Sequence, residues 1–307
     1  MSVAVHGEAL IDFLESGDGT YRPHPGGSPF NVAVGLARQG MDVSYLSPLS
    51  EDGFGDQLRD ILVREGVALP LTRRSPLPTS LALVALDPHG AATYRLYCEA
   101  VADKDISFEQ LRDALPPATQ VFHTGSLAII PSQLPKIRSL FRLLRDRGVL
   151  ISVDINIRLR ACADIEGYLQ GVRSLIPLCD IVKASDEDLA AIASQASAQA
   201  SAEALRAQLD GGIVLLTQGK GGALVLTGQG DISRDAFAAE RVADTVGAGD
   251  TFHGAFLAAL LRSETFGTVP VAAMPRETLR HALDFACAAA AINVSRTGCS
   301  PPSHAEV

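Results

Sequence analysis

Short apolar, β-rich runs take turns with helical patterns along the chain, and that alternation narrows the fold more than any other feature. The runs VSYLSPLS (Val43–Ser50), VFHTGSL (Val121–Leu127), VLISVDIN (Val149–Asn156), DIVKAS (Asp180–Ser185) and GIVLLTQG (Gly212–Gly219) read as buried strands. Among them lie helical patterns over Asn31–Gln39, Phe54–Glu65, Pro131–Asp146 and Asp186–Leu209. Strand and helix in alternation predict an α/β fold, with a mostly parallel sheet covered on both faces. With 307 residues, 47% of them hydrophobic, the chain can bury a large core as a single α/β domain carrying an insertion.

Two segments break the alternation. SLALVALDPHGAATYRLYCE (Ser80–Glu99) is a pair of β-rich runs around Pro-His-Gly, which predicts a hairpin. GEALIDFLESGDGTYRPHPGG (Gly7–Gly27) looks alike, with Gly-Asp-Gly as its turn. Neither carries a helix of its own, so both are expected to form a small β-sheet laid over one end of the main body. The run Ala190–Gln208 is rich in Ala and Ser, and no Gly or Pro interrupts it. It is expected to be a surface helix rather than a linker, because Ala is the best helix former.

Composition excludes several classes. The formal net charge is −9 and there is no Lys/Arg block, which argues against a nucleic-acid or membrane-surface partner. No apolar run reaches the roughly 18 residues that span a bilayer, and MSVAVHGEALIDF lacks the basic and apolar regions of a signal peptide. The cysteines Cys98, Cys162, Cys179, Cys287 and Cys299 are scattered and odd in number, as expected of free thiols in a reducing cytoplasm. Asn293-Val294-Ser295 then matches a glycosylation sequon by chance. A P-loop, a G-x-G-x-x-G after the first strand, a G-x-S-x-G elbow and an H-E-x-x-H pair are all missing. His123 reads as a satisfied core histidine, and His253 as a flanking position of a helix.

The stretch ADTVGAGDTFHGAFLAALL (Ala243–Leu261) carries more information. Phe252, Ala255, Phe256, Ala259 and Leu260 form one helical face, so a helix begins near Asp250. Its first N–H groups point back at Gly247, Ala248 and Gly249. Asp250 is then either a helix cap, or a carboxylate beside a side-chain-free anion site. GGSPFNVAVGLARQG puts a glycine pair before a helix, with Asn31 in its first turn. DINIR sets Asp154, Asn156 and Arg158 at alternate positions as a strand ends, which favours a site lining over a surface edge. TQGKGG, with Thr217, Gly219 and Gly222, is a turn by default and a nucleotide loop at best.

Taken together, these residues resemble the PfkB (ribokinase-like) family of carbohydrate kinases over nearly the whole chain. GGSPFNVAVGLARQG near one end and DTVGAGDTFHGAF near the other carry most of the resemblance; HGEALIDF, FHTGS, DINIR, TQGKGG and SRTG agree with it. The resemblance implies a ribokinase-like three-layer αβα domain over 1–307, with a small β-sheet lid inserted as roughly 9–26 and 79–104. It implies ATP and Mg2+, with K+ in parts of the family, a small-molecule sugar as partner, and a possible homodimer through the lid. It makes Asp250 the catalytic base and the N–H groups of Gly247, Ala248 and Gly249 the anion hole. Asp12, Gly27 and Asn31 match positions that hold sugar hydroxyls, with Arg158 as a further sugar-side residue. Thr217, Gly219 and Gly222 match the nucleotide loop; Ala290, Asn293 and Gly298 fall where adenine is held. Where the family has N-x-x-E, this chain has Ser185 and Asp188, so a water-mediated magnesium role falls to Asp188. A monovalent cation is expected near Asp244. GEALIDF, GGSPFNVA and FHTGS resemble the bacterial fructokinase branch. The alternatives are a 2-keto-3-deoxygluconate kinase, for which Arg22, Arg95 and Arg158 could supply charge, a ribokinase or nucleoside kinase, and a non-catalytic sugar or nucleotide sensor. A nicotinamide oxidoreductase lacks its glycine fingerprint.

Overall fold

The structure is a computed structural model that describes residues 1–15, 19–86, 92–192, 197–237 and 241–307. The strands are β1 (Ser2–Val5), β2 (Leu10–Glu15), β3 (Tyr21–Gly26), β4 (Asp42–Tyr45), β5 (Ser80–Leu86), β6 (Ala92–Tyr97), β7 (Thr119–Gly125), β8 (Leu150–Asp154), β9 (Ile181–Ser185), β10 (Ile213–Thr217), β11 (Ala223–Leu226) and β12 (Ile232–Arg234). The α-helices are α1 (Ser28–Arg38), α2 (Gly53–Arg64), α3 (Phe108–Ala114), α4 (Leu134–Asp146), α5 (Ile165–Arg173), α6 (Asp186–Ile192), α7 (Ala198–Arg206), α8 (Ala248–Arg262) and α9 (Arg276–Val294).

Eight strands form the main sheet in the order β12-β11-β10-β9-β8-β7-β1-β4. From β4 to β10 every neighbour is parallel; β11 and β12 are antiparallel. Alternate residues feed two cores. Val3, Val5, Ile213 and Leu215 face one that includes α1, α2, α8 and α9. Ala4, Val214 and Leu216 face another that includes α3 to α7. Burial on both faces explains why these strands read as continuous apolar runs. The expected αβα layering is what the chain forms.

The second sheet has the order β3-β2-β5-β6. Two antiparallel hairpins, β2–β3 and β5–β6, join through a parallel β2–β5 pair in the middle. Pro23 and Pro25 sit in β3, an edge strand, where a missing N–H costs no ladder bond. The expected turn residues Gly17 and Asp18, and Pro88, His89 and Gly90, lie outside the described residues.

Some boundaries differ from expectation. The first buried strand stops at Tyr45 rather than running to Ser50. The single helix expected over Asp186–Leu209 is two: Ser197 adopts extended backbone and its side chain accepts from the Ala200 N–H, starting a second helix. A serine that can cap competes with helix continuation, and the competition wins here. Among the described residues, no helix is long and apolar enough to cross a membrane. All five cysteines are free.

Candidate active site

The α8 helix opens on a residue that only glycine fits. Gly247, its N-cap, is left-handed (φ 71°), and a Cβ there would lie 2.2 Å from Cys299 Sγ. The Thr251 N–H donates to Gly247 O at 2.8 Å, and the helix is under way. From Asp250 to Leu261 every residue is buried, so α8 is a core helix rather than an amphipathic one.

Asp250 is not the cap. It is the third residue of α8, within the first turn, and its carboxylate turns toward α1. Ser28 Oγ donates to Oδ1 at 2.7 Å, and Asn31 Nδ2 donates to Oδ2 at 2.8 Å. α1 is likewise capped by a glycine, Gly27 (φ 107°), without a side-chain bond. Burial pushes the Asp250 carboxyl up and Asp154 adds to this; the Ser28 and Asn31 donors and the Lys183 ammonium pull the other way, and the net direction is upward.

Asp12 reaches the same place from β2. Burial raises its carboxyl to about 6, Arg158 pulls it down, and Asp250 pushes it up. The three side chains therefore share one electrostatic neighbourhood. The glycine pair makes this approach possible: a Cβ on Gly26 would fall 2.4 Å from Asp12 Oδ2, and one on Gly27 2.5 Å from Glu8 O. Glu8, 1% exposed, accepts from the Ser28 N–H at 3.3 Å, and burial lifts its carboxyl to about 7.

Beneath the glycine run lies a buried ion pair. Lys183 Nζ is 2.8 and 3.0 Å from the two oxygens of Asp154. A Cβ on Gly249 would be 3.2 Å from the same Nζ, so the ammonium lies against the head of α8. Burial alone would raise the Asp154 carboxyl; Lys183 and His253 outweigh it and hold it well below the usual carboxylate range. Ser152 Oγ shares hydrogen bonds with His253 Nε2 (2.7 Å) and His123 Nδ1 (3.2 Å). Burial lowers both imidazoles. His123 is partnered on one nitrogen only; its Nε2 has no hydrogen-bond partner.

DINIR departs from expectation. The strand ends at Asp154, and Asn156 takes a left-handed turn (φ 38°), so the alternation that would put Asp154, Asn156 and Arg158 on one side is broken. Asp154 is fully buried as the partner of Lys183, whereas Arg158 is exposed.

On the other flank, TQGKGG is the turn between β10 and β11. Thr217 pairs with Ala223 and, across the sheet, with Ser185. Gly219 (φ 52°) and Gly222 (φ 90°) both need positive φ, and a Cβ on Gly222 would meet Arg234 O at 2.1 Å. Asn293 is buried and both ends of its amide are engaged: Nδ2 donates to Val246 O at 2.9 Å and Oδ1 accepts from the Ser300 N–H at 2.8 Å. It fastens two loops together. Asp244 does similar work, accepting from the Val246 and Gly298 N–H groups at 3.0 Å each. The Ala248 N–H leans toward Thr245 O at 3.3 Å, which leaves it weakly engaged within the chain.

The donor set limits what metal the chain can hold. Among the described residues no group of three or more His, Cys, Asp or Glu side chains converges on a metal position. Asp188 accepts from the N–H groups of Ile157 (2.7 Å) and Ser185 (2.8 Å) and from Ser185 Oγ (2.8 Å), tying the DINIR loop to β9. That leaves it little capacity beyond one outer lone pair. That one outer lone pair suits a water-mediated contact to a divalent ion.

Ser28, Lys183, Ser152 and Cys299 were not expected at this site. Lys183 could have been found: a lysine in the apolar run DIVKAS needs a buried partner. Ser28 left no comparable signal, because serine near a helix start reads as a cap.

The family description pfkB family carbohydrate kinase matches residues 2–306. A fructokinase of Rhizobium leguminosarum bv. trifolii is 32% identical over 290 residues, covering 91% of this chain and 85% of that protein. Among solved structures, a fructokinase with bound ATP from Xylella fastidiosa superimposes with TM-score 0.89 at 28% identity, covering 99% of this chain and 96% of the other. A fructokinase from Vibrio cholerae O395, solved with fructose, ADP and calcium ion bound, gives TM-score 0.86 at 25% identity over 99% and 96% of the two chains. Glycine-capped α8, the carboxylate behind it and a match over nearly every residue lead to one conclusion: the chain belongs to the pfkB family of carbohydrate kinases.

Proposed function

We propose that the protein is a fructokinase, transferring the γ-phosphoryl group of ATP to the primary hydroxyl of D-fructose to give fructose 6-phosphate. The observation that carries this reading is Asp250, buried at the start of α8 and oriented by Ser28 and Asn31 toward the side from which Asp12 approaches. The relatives named fructokinase support the choice of sugar. The chain acts as one kinase unit in the cytoplasm, and the sheet of β2, β3, β5 and β6, within 9–26 and 79–104, acts as the lid over the sugar.

Phosphoryl transfer asks the protein for positioning and charge stabilisation more than for covalent chemistry. Asp12, Gly27, Asn31 and Arg158 bind the sugar, with the charged Asp12 accepting from paired hydroxyls. Asp250 takes the proton of the primary hydroxyl as its oxygen bonds to phosphorus and the bond to the leaving diphosphate breaks. The N–H groups of Gly247, Ala248 and Gly249 face the charge that develops on the phosphoryl oxygens. Thr217, Gly219 and Gly222 receive the nucleotide, and Asn293 and Gly298 shape its far wall through the loops they hold. Asp188 would serve as an outer partner of a magnesium ion carried on ATP, which would neutralise phosphate charge, and Asp244 would lie near a monovalent cation.

Two assays test this. A sugar panel with ATP and magnesium, read by ADP release, should give turnover on fructose; turnover on 2-keto-3-deoxygluconate or ribose with none on fructose overturns the substrate. Asp250→Asn should bind fructose and ATP nearly normally and lose at least about 10²-fold in kcat. A variant with near-normal turnover returns Asp250 to a structural role.

A further inference from the structure

Asp250 is gripped from α1 by a residue outside the expected set. Ser28 occupies the first helical position and is 6% exposed. A serine there usually serves the helix, but the cap of α1 is Gly27, with no side-chain bond. A hydroxyl has one proton to give, and this one goes to Asp250 Oδ1 at 2.7 Å. The residue itself is fixed on three sides: Gly27 turns with φ 107°, Pro29 follows, and Glu8 accepts the Ser28 N–H at 3.3 Å.

We propose that Ser28 is a positioning residue for the base: its hydroxyl locks the Asp250 carboxylate in one orientation and keeps it charged, ready for the sugar hydroxyl. The inference rests on the kinase reading above and deepens it. Asn31 holds Oδ2 from the next turn of the same helix, so the two donors fix the carboxylate plane. Each oxygen keeps a lone pair for an incoming hydroxyl. Without such donors the setting disfavours the charged form further. Burial, Asp154 on β8 and Asp12 on β2 all disfavour the charge on Asp250; besides the Ser28 and Asn31 donors, Lys183 on β9 opposes them, and Arg158 after β8 acts on the neighbouring Asp12. His253 on α8 is buried with its proton affinity lowered, and the Cys299 thiol, pushed up by burial, carries no charge. A hydrogen bond from a neutral donor to a carboxylate is strong enough to move its titration by about one unit.

The test compares wild type with Ser28→Ala, Ser28→Gly and Ser28→Thr, and uses Asp250→Asn to assign the Asp250 carboxyl signal by 13C NMR in aspartate-labelled protein. Loss of the hydroxyl should raise the Asp250 titration by about one unit and shift the acidic limb of kcat by the same amount. Near neutral pH kcat should fall up to about tenfold, with KM for ATP unchanged and Ser28→Thr restoring both readouts. A purely structural serine would lower the melting temperature without moving either titration. If Ser28→Ala and Ser28→Gly leave the Asp250 signal where it was, the proposal is overturned, whatever the enzyme phosphorylates. If the signal moves but the wild-type protein phosphorylates no sugar, the grip on Asp250 stands and the kinase reading falls.

Discussion

Gly247→Ala puts a methyl group where the structure leaves no room for one. Two independent costs arise. The backbone is left-handed at φ 71°, which costs an L-residue about 1–2 kcal/mol. The new Cβ would also stand 2.2 Å from Cys299 Sγ, 2.6 Å from its Cβ and 3.2 Å from its Cα, so backbone as well as side chain must move. Overpacking of this kind costs about 1–3 kcal/mol, for a total of about 2–5 kcal/mol. Gly219→Ala isolates the first cost, because Gly219 has φ 52° and nothing within 4 Å of its Cβ; it should lose only about 1–2 kcal/mol. A double-mutant cycle by urea denaturation isolates the second. Cys299→Gly removes the Sγ and Cβ contacts, so Gly247→Ala in that background should recover about 1–3 kcal/mol of coupling. The displaced turn also drags the N–H groups at the head of α8, and kcat should fall in step. Additive losses, with Gly247→Ala no worse than Gly219→Ala, would refute the claim that Cys299 packs the turn at the head of α8 into shape.

Two further outcomes follow from the charges. Burial raises the Asp12 carboxyl to about 6, and the ionised form is the better acceptor of two sugar hydroxyls, so KM for fructose should rise as pH drops from 7 to 5 while KM for ATP stays level; Asp12→Asn should weaken fructose at every pH and abolish the trend, and a level wild-type KM would remove Asp12 from the proposed sugar site. Lys183→Met leaves Asp154 buried and unpaired and should cost about 3–5 kcal/mol by urea denaturation, most of it regained in Lys183→Met/Asp154→Leu. Because the folded Asp154 is held low, its stabilisation is complete above its unfolded value of about 4 and drains away as pH falls below that; the wild type should therefore weaken more steeply in acid than the double variant.

Sequence patterning revealed the layers because period and burial agree there: runs such as GIVLLTQG are apolar on both faces, as a covered parallel strand must be. It located the starts of α1 and α8, with Asn31 and Asp250 close behind a glycine turn, because helix starts and glycine turns are local. It misjudged what depends on distant partners. Asp154 looked like site lining until the fold set it against Lys183, which lies 29 residues along the chain. The amide partners of Asn293, the backbone of Val246 and Ser300, were likewise not legible from its own stretch of sequence. Ser28 was invisible because its partner is 222 residues away, a separation no local rule reads.

The β2–β5 ladder has a mechanical corollary. Because two hairpins from separate parts of the chain are stitched along their inner strands, the small sheet hangs from the main body by four tethers. Asp12 rides on one of the stitched strands, and Asp250 belongs to the body beneath. Any change in the gap between these two acids must swing all four strands as one plate. Loosening a single tether would tilt the plate and carry Asp12 with it, rather than releasing one strand alone.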